Sequence, residues 1–264
     1  MAMTAKVRRP NDARLVGRQL YYEQLGFWKN PFGSAFTVIF SVLFLVLLAA
    51  GGGNQRLARL GGIREIQYYV PGFAAYGVMS ACFNLLAISL VTRRETGLLK
   101  RLRLSPLPTW VMLAALLLNS LVISAVEVIL LIGVGKLAFH VYLPQNFGAF
   151  LVAFVIGVIC FTALGIAAST VVPNQDAAGP MVSIVFFVLL FLSGLWFPLT
   201  PGSTLDKISA WFPVHHLILA MFAPFDRARG VSPWAWGDLK VVGIWGVGGA
   251  VVALRRFAWE PRRA

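Results

Sequence analysis

The chain has 264 residues, 58% of them hydrophobic and 12% charged, with a mean hydropathy of +0.77. That balance excludes an ordinary soluble domain. The net charge of +13 at pH 7 does not signal a nucleic-acid partner, because the basic residues lie between apolar runs rather than on one polar domain.

The first stretch, NDARLVGRQLYYEQLGFWKNP, predicts an interfacial helix over 11–30 closed by Pro31. Val16, Leu20 and Phe27 form one stripe with Tyr21, Leu25 and Trp28 beside it, and Trp, Tyr and Lys suit a helix lying at the membrane surface. Six apolar runs follow, at 32–50, 71–91, 109–135, 147–172, 179–197 and 236–254, each near the ~20 residues that a helix needs to cross a bilayer core of ~30 Å. The first is too long for a signal-peptide core and has no clear AxA cleavage site, so it reads as an anchor. With no repeat and no linker, the expectation is an all-α polytopic membrane protein forming one domain over 1–264. Six spans put both termini on one face, which then carries fifteen Lys and Arg residues against seven on the other. The positive-inside rule places that face, with the 92–108 loop, in the cytoplasm, and the chain in the cytoplasmic membrane. Arg56, Arg59 and Arg64 run against the rule.

Between runs two and three stands TRRETGLLKRLRLSPLP, residues 92–108. Thr92 and Glu95 have capping-box spacing, which predicts a new helix distinct from the second span. Leu98, Leu99 and Leu102 form its apolar stripe, Arg94, Lys100, Arg101 and Arg103 its charge, and Pro106 stops it after Ser105. Such a helix either rests on anionic lipid, at about 1 kcal/mol per basic residue, or docks a protein.

Run three contains Glu127, an ionisable group that costs about 2.5–3.5 kcal/mol at a span's centre. Lys240 enters run six from the same side, so a Glu127–Lys240 structural clamp is expected, with a substrate or proton pathway as the other reading. Asn84, Asn119, Ser120 and Ser124 are also intramembrane and polar, and helix–helix hydrogen bonds explain them at least as well as substrate contacts. Cys82 and Cys160 each sit within a run, which argues against a disulfide or a metal site. Residues 196–234 are too interrupted by proline to span and too aromatic for an aqueous loop, which predicts short outer re-entrant helices. His215 and His216 are adjacent there, so on a helix they point about 100° apart and cannot share a metal from one face.

No HExxH, GxSxG, aspartate pair or Walker A loop is present, and GVGKLAF lacks the first glycine and the Ser or Thr of a phosphate loop. No catalytic or metal-ligating residue is expected.

RRETGLLKRLRLSPLP, following a second span, resembles the cytoplasmic coupling segment of ABC-type-2 exporter permeases. PNQDAAGPMVSIVFFVLLFLSGLWFP (173–198) is similar to that family's fifth span, and ISAWFPVHH (208–216) to its outer re-entrant segment. The resemblance covers nearly the whole chain in order, and the drug-efflux, daunorubicin-resistance-like branch fits best. It implies a dimer of permease halves, identical or paralogous, with two copies of a separate ABC ATPase subunit. ATP and Mg would bind that ATPase and no cofactor this chain. The implied task is export of a hydrophobic drug, antibiotic or lipid. Carried over by position, Glu95 and Gly97 match the acidic and glycine positions, and Leu98, Leu99 and Leu102 the docking stripe with Arg94 and Arg101 beside it. Ser193, Gly194, Phe197 and Pro198 match the outer motif. The basic excess after Gly97 departs from many relatives, which leaves lipid contact as a second role. A membrane-embedded enzyme and a non-transporting assembly or immunity protein are the alternatives.

Overall fold

The computed structural model describes residues 12–52, 55–57, 62–104, 107–196, 199, 202–226 and 232–257. After α1 (Asp12–Trp28), Asn30 accepts a hydrogen bond from the Gly33 amide at 3.2 Å, and Pro31 opens α2 (Pro31–Gly52) where its missing N–H costs nothing. A two-strand ribbon, β1 (Arg56–Leu57) against β2 (Ile63–Arg64), leads into α3 (Glu65–Met79). The helix continues through a π-helical stretch, Ser80–Leu85, into α4 (Leu86–Glu95). Then come α5 (Leu98–Leu104), α6 (Thr109–Phe139), α7 (Phe147–Ser169) and α8 (Gln175–Phe191). Asn146 and Asn174 cap α7 and α8 by accepting from the amides of Ala149 and Ala177, each at 2.9 Å. Two short helices, α9 (Thr204–Ser209) and α10 (Pro213–Phe222), precede the last span, α11 (Trp236–Arg256).

Among the described residues five helices are long and apolar enough to cross a membrane. α8, with 17 residues, is a shorter apolar helix, and at 1.5 Å per residue it covers about 25 Å. The chain is therefore helical and multi-pass, with five to six span candidates. The second span begins at Glu65, six residues before the apolar run at 71, and Pro71 lies inside it.

Helix α3 occupies the centre: residues 66–79 are all buried, and α2, α6, α7 and α10 pack around it. In the 65–95 span 72% of the apolar window is enclosed, against 24% in α2 and 28% in α11, so the latter two are peripheral. The tightest seams use small residues. A Cβ on Gly165 of α7 would lie 2.5 Å from the Cys82 carbonyl oxygen, and Gly246 and Gly249 bring α11 onto Cys160 and Leu164 of α7. Cys82 and Cys160 are free thiols enclosed in this packing. Within the 196–234 segment, α10 packs against α3, α7 and α11.

Candidate functional site

The loop between the second and third spans forms a compact structure whose parts face opposite ways. Thr92 and Glu95 do not start a new helix. They belong to the last turn of α4, where Thr96 Oγ1 donates back to the Thr92 carbonyl at 2.9 Å. The break falls two residues later, at Gly97, whose φ of 72° is a left-handed conformation that glycine adopts without a Cβ clash. α5 then runs from Leu98 to Leu104, and Ser105 and Pro106, the predicted stop, lie outside the described residues.

The predicted docking stripe is divided. Leu99 is 2% exposed and packs with Leu102 onto Leu86, Leu90, Met112 and Leu116. Leu98 and Leu104 are 42% and 80% exposed, and Lys100, Arg101 and Arg103 are exposed with them. The spacing of Leu99 and Leu102 is what fastens α5 to the bundle, so the outward surface consists of Leu98, Leu104 and the three cations.

Arg94, expected among the contacts to a partner, is instead buried at 2% exposure. Its guanidinium donates to the carbonyls of Ser169 (3.1 Å), Val172 (2.8 Å) and Pro173 (3.0 Å), and to Glu95 at 2.9 Å. These carbonyls belong to the end of α7 and the turn into α8, where unsatisfied acceptors and the helix dipole both favour a cation. Its neighbour Arg93 points the other way and grips Glu23 of α1 with two bonds of 2.7 and 2.6 Å. Glu23 also accepts from Gln19. The end of α4 is thus fixed to α1 on one side and to the α7–α8 turn on the other, immediately before the Gly97 break.

Under α1 lies a cavity of about 220 Å³ bordered by α1, α2, the π-helical stretch, α4 and α6. The Glu23–Arg93 pair and Asn119 line one part of it, Leu116 and Ile123 another. Asn119 accepts a 2.9 Å hydrogen bond from Gln24, so its polarity is spent on holding α1 against α6. Deeper in the bundle, Glu127 is fully buried but does not meet Lys240, which is exposed on α11. α11 packs on α7 and α10, so similar depth does not make the two residues neighbours. Glu127 Oε1 accepts from Ser41 of α2, while Oε2 has no hydrogen-bond partner among the described residues. The side-chain oxygen of Asn84, within the π-helical stretch, is likewise buried and without a partner among the described residues.

At the opposite end, Gly194 turns the chain with φ 78°, and its carbonyl accepts from Tyr68 at 3.3 Å. Ser193 Oγ donates to the Leu190 carbonyl at 2.5 Å. Phe197 and Pro198 lie outside the described residues. His216 bridges three elements: Nδ1 is 2.6 Å from Asp238 Oδ1 on α11, and Nε2 is 2.8 Å from the Ala210 carbonyl at the end of α9. Both partners are acceptors, so the imidazolium alone donates to both. The Asp238 hydrogen bond holds the His216 pKa above its usual value, whereas burial pushes that of His215 down.

With this geometry in place, comparison with known proteins is decisive: residues 18–225 match the ABC-2 type transporter family. The chain belongs to that family. It is a membrane subunit of a transporter, and the family implies an ABC ATPase partner and a paired permease. The permease is also 25% identical, over 178 residues, to the "Putative transport permease YvfS" of Bacillus subtilis (strain 168). That alignment covers 66% of this chain and 70% of the relative.

Two features of the permease had no clear sequence signal. Glu23 lies in α1 with nothing local to connect it to Arg93, 70 residues away. Arg64, which runs against the positive-inside rule, donates to the Phe139 and His140 carbonyls and so closes the end of α6. Its position serves helix capping.

Proposed function

We propose that this permease exports a hydrophobic drug, antibiotic or lipid across the cytoplasmic membrane, with both termini and α5 on the cytoplasmic side. Two copies of a separate ATPase, carrying ATP and Mg, dock on the outward surface of α5, and a second permease half, identical or paralogous, completes the path. The observation that carries this reading is the mechanical arrangement of residues 93–104. A seven-residue helix presents Leu98 and Leu104 outward, joins α4 through Gly97, and follows two arginines fixed to α1 and to the α7–α8 turn. Closure of the ATPases would push α5, and Arg93 and Arg94 would pass that displacement to α1 and α8 together. The peripheral helix α2 and the apolar outer face of α8, including Ile184, Val188 and Phe191, supply a surface for the second half. Lys100, Arg101 and Arg103 add a contact to anionic lipid. The drug-resistance branch is the assignment that fits the sequence best.

The test is co-expression with a genomic neighbour that encodes a Walker A ATPase, followed by reconstitution in liposomes. Copurification and ATP-dependent efflux of a hydrophobic fluorescent dye are expected, and Leu98→Asp combined with Leu104→Asp should abolish both. Copurification that survives the double substitution removes the docking surface from the reading. An assembly or immunity protein would show no ATP-dependent flux, and a membrane enzyme would turn over without the ATPase.

A further inference from the structure

Glu127 has no part in joining α5 to the bundle, yet its surroundings are shaped around it. Three helices meet at its carboxyl. Ser41 of α2 donates to Oε1, and Gly77 of α3 leaves free the space that a Cβ would fill, 2.7 Å from Cδ. Oε2 is buried against that glycine with no hydrogen-bond partner among the described residues. The ion pairs among the described residues are Arg93–Glu23, Arg94–Glu95 and His216–Asp238, so none neutralises it. The titratable groups facing it are Tyr76 of α3 and Cys82 of the π-helical stretch. α2 offers the Ser41 hydroxyl, and the Cys82 thiol stands among the hydroxyls of Ser120 and Ser124 on α6 and Thr162 on α7. α1 brings Glu23, already held by Arg93.

The cavity under α1 reaches Ala81 and Ile123. Each is four residues from a wall of the carboxyl's slot, Gly77 on one chain segment and Glu127 itself on the other, so the cavity approaches to about 6 Å along both helices. Its volume of about 220 Å³ is several times the roughly 30 Å³ share of one water, and Ser34, Ser89 and Ser120 give such waters partners. Ser120 lines the cavity, and Ser124, one helical turn nearer to Glu127 on α6, donates to the Ser120 carbonyl at 2.7 Å.

With Oε2 buried and 2.9 Å from the Cβ that Gly77 lacks, the ligand that fits without moving a neighbour is a proton. We propose that Glu127 is a proton-binding site, served by water in the cavity beneath α1 through the Ser120 and Ser124 hydroxyls. The proton passes from hydronium in the cavity to a lone pair of Oε2 and returns to water by the same route, with no electron transferred. As a neutral acid the carboxyl fits its slot; as an anion it requires a second partner that the packing withholds, so water must enter or α2 must part from α3. The site stands on the fold and not on the transport reading, so either can fail without the other.

The test is infrared difference spectroscopy of the full chain in lipid nanodiscs, between acidic and alkaline pH and between H₂O and D₂O. A protonated-carboxyl stretch that titrates, exchanges deuterium and disappears in Glu127→Gln is expected. Ser120→Val should keep the band and slow its exchange at least about tenfold, as removal of an access route does. Ser41→Ala retains the acid and should move both the band and its midpoint, which keeps the site readable if Glu127→Gln does not fold. A band that neither titrates nor exchanges, or one that persists in Glu127→Gln, overturns the proposal. Exchange unchanged by Ser120→Val, or a band and midpoint unmoved by Ser41→Ala, overturns the route and the assignment respectively.

Discussion

A single imidazolium ties α9, α10 and α11 together, and it makes the stability of that end depend on pH. His216 has its folded pKa raised by Asp238 above the ordinary 6.5, so its contribution is complete below that unfolded value and is lost as pH rises through the folded one. Asp238→Asn should therefore flatten the alkaline fall in Tm and lower the His216 pKa seen by NMR, with a loss near ~1 kcal/mol at mildly acidic pH from the weakened charge-assisted bond. Steric fit gives a second prediction. Gly77→Ala sets a methyl 2.7 Å from the Glu127 carboxyl carbon, and thermal denaturation should register ~1–3 kcal/mol of overpacking cost. The sequence exposed the oddity of Glu127 through its depth in an apolar run, but not its partner. Depth alone pointed to Lys240, whereas the structure pairs Glu127 with Ser41, because neighbours depend on which helices touch as well as on how deep a residue lies.

Short elements behave according to what they face. Leu99 and Leu104 occupy the same seven-residue helix, yet one is 2% exposed and the other 80%. Leu99→Asp should reduce the folded yield measured by size exclusion, since it buries a charge. Leu104→Asp should leave stability within about 0.5 kcal/mol, as exposed substitutions usually do, while weakening ATPase copurification. Arg94→Met should cost ~2–4 kcal/mol by leaving the Ser169, Val172 and Pro173 carbonyls without their donor, and Arg94→Lys should recover stability only in part, because an ammonium cannot match the planar fork. In flux assays both should lower ATP-driven transport more than they lower ATPase binding. The short helix itself was legible from its leucines and cations. Its true start at Gly97 was hidden by a capping-box pattern that here closes a helix, and the inward turn of Arg94 depends on carbonyls 75 to 79 residues away.

For the molecule as a whole, hydropathy carried much of the architecture: five to six apolar helices were legible from the runs, and the shorter helices α1, α9 and α10 fall where those runs are absent or interrupted. What it could not reveal was enclosure, since α2 is the more apolar of the two while the 65–95 span is the central one. Close approach contributes to that difference, as where Gly165 of α7 admits the backbone of Cys82 and Phe83. Gly249→Leu should open the α7–α11 seam, lowering Tm and raising protease sensitivity near residue 257. The two thiols of Cys82 and Cys160, free but sealed at 0% and 1% exposure, have a practical consequence. Polar maleimides should find no native target in the folded chain, so one cysteine introduced at Leu104 and another at Trp211, both exposed, would each accept a spin or fluorescent label against a silent background. The wild-type sequence is in this sense already a labelling scaffold for measuring how far its two ends move when ATP is added.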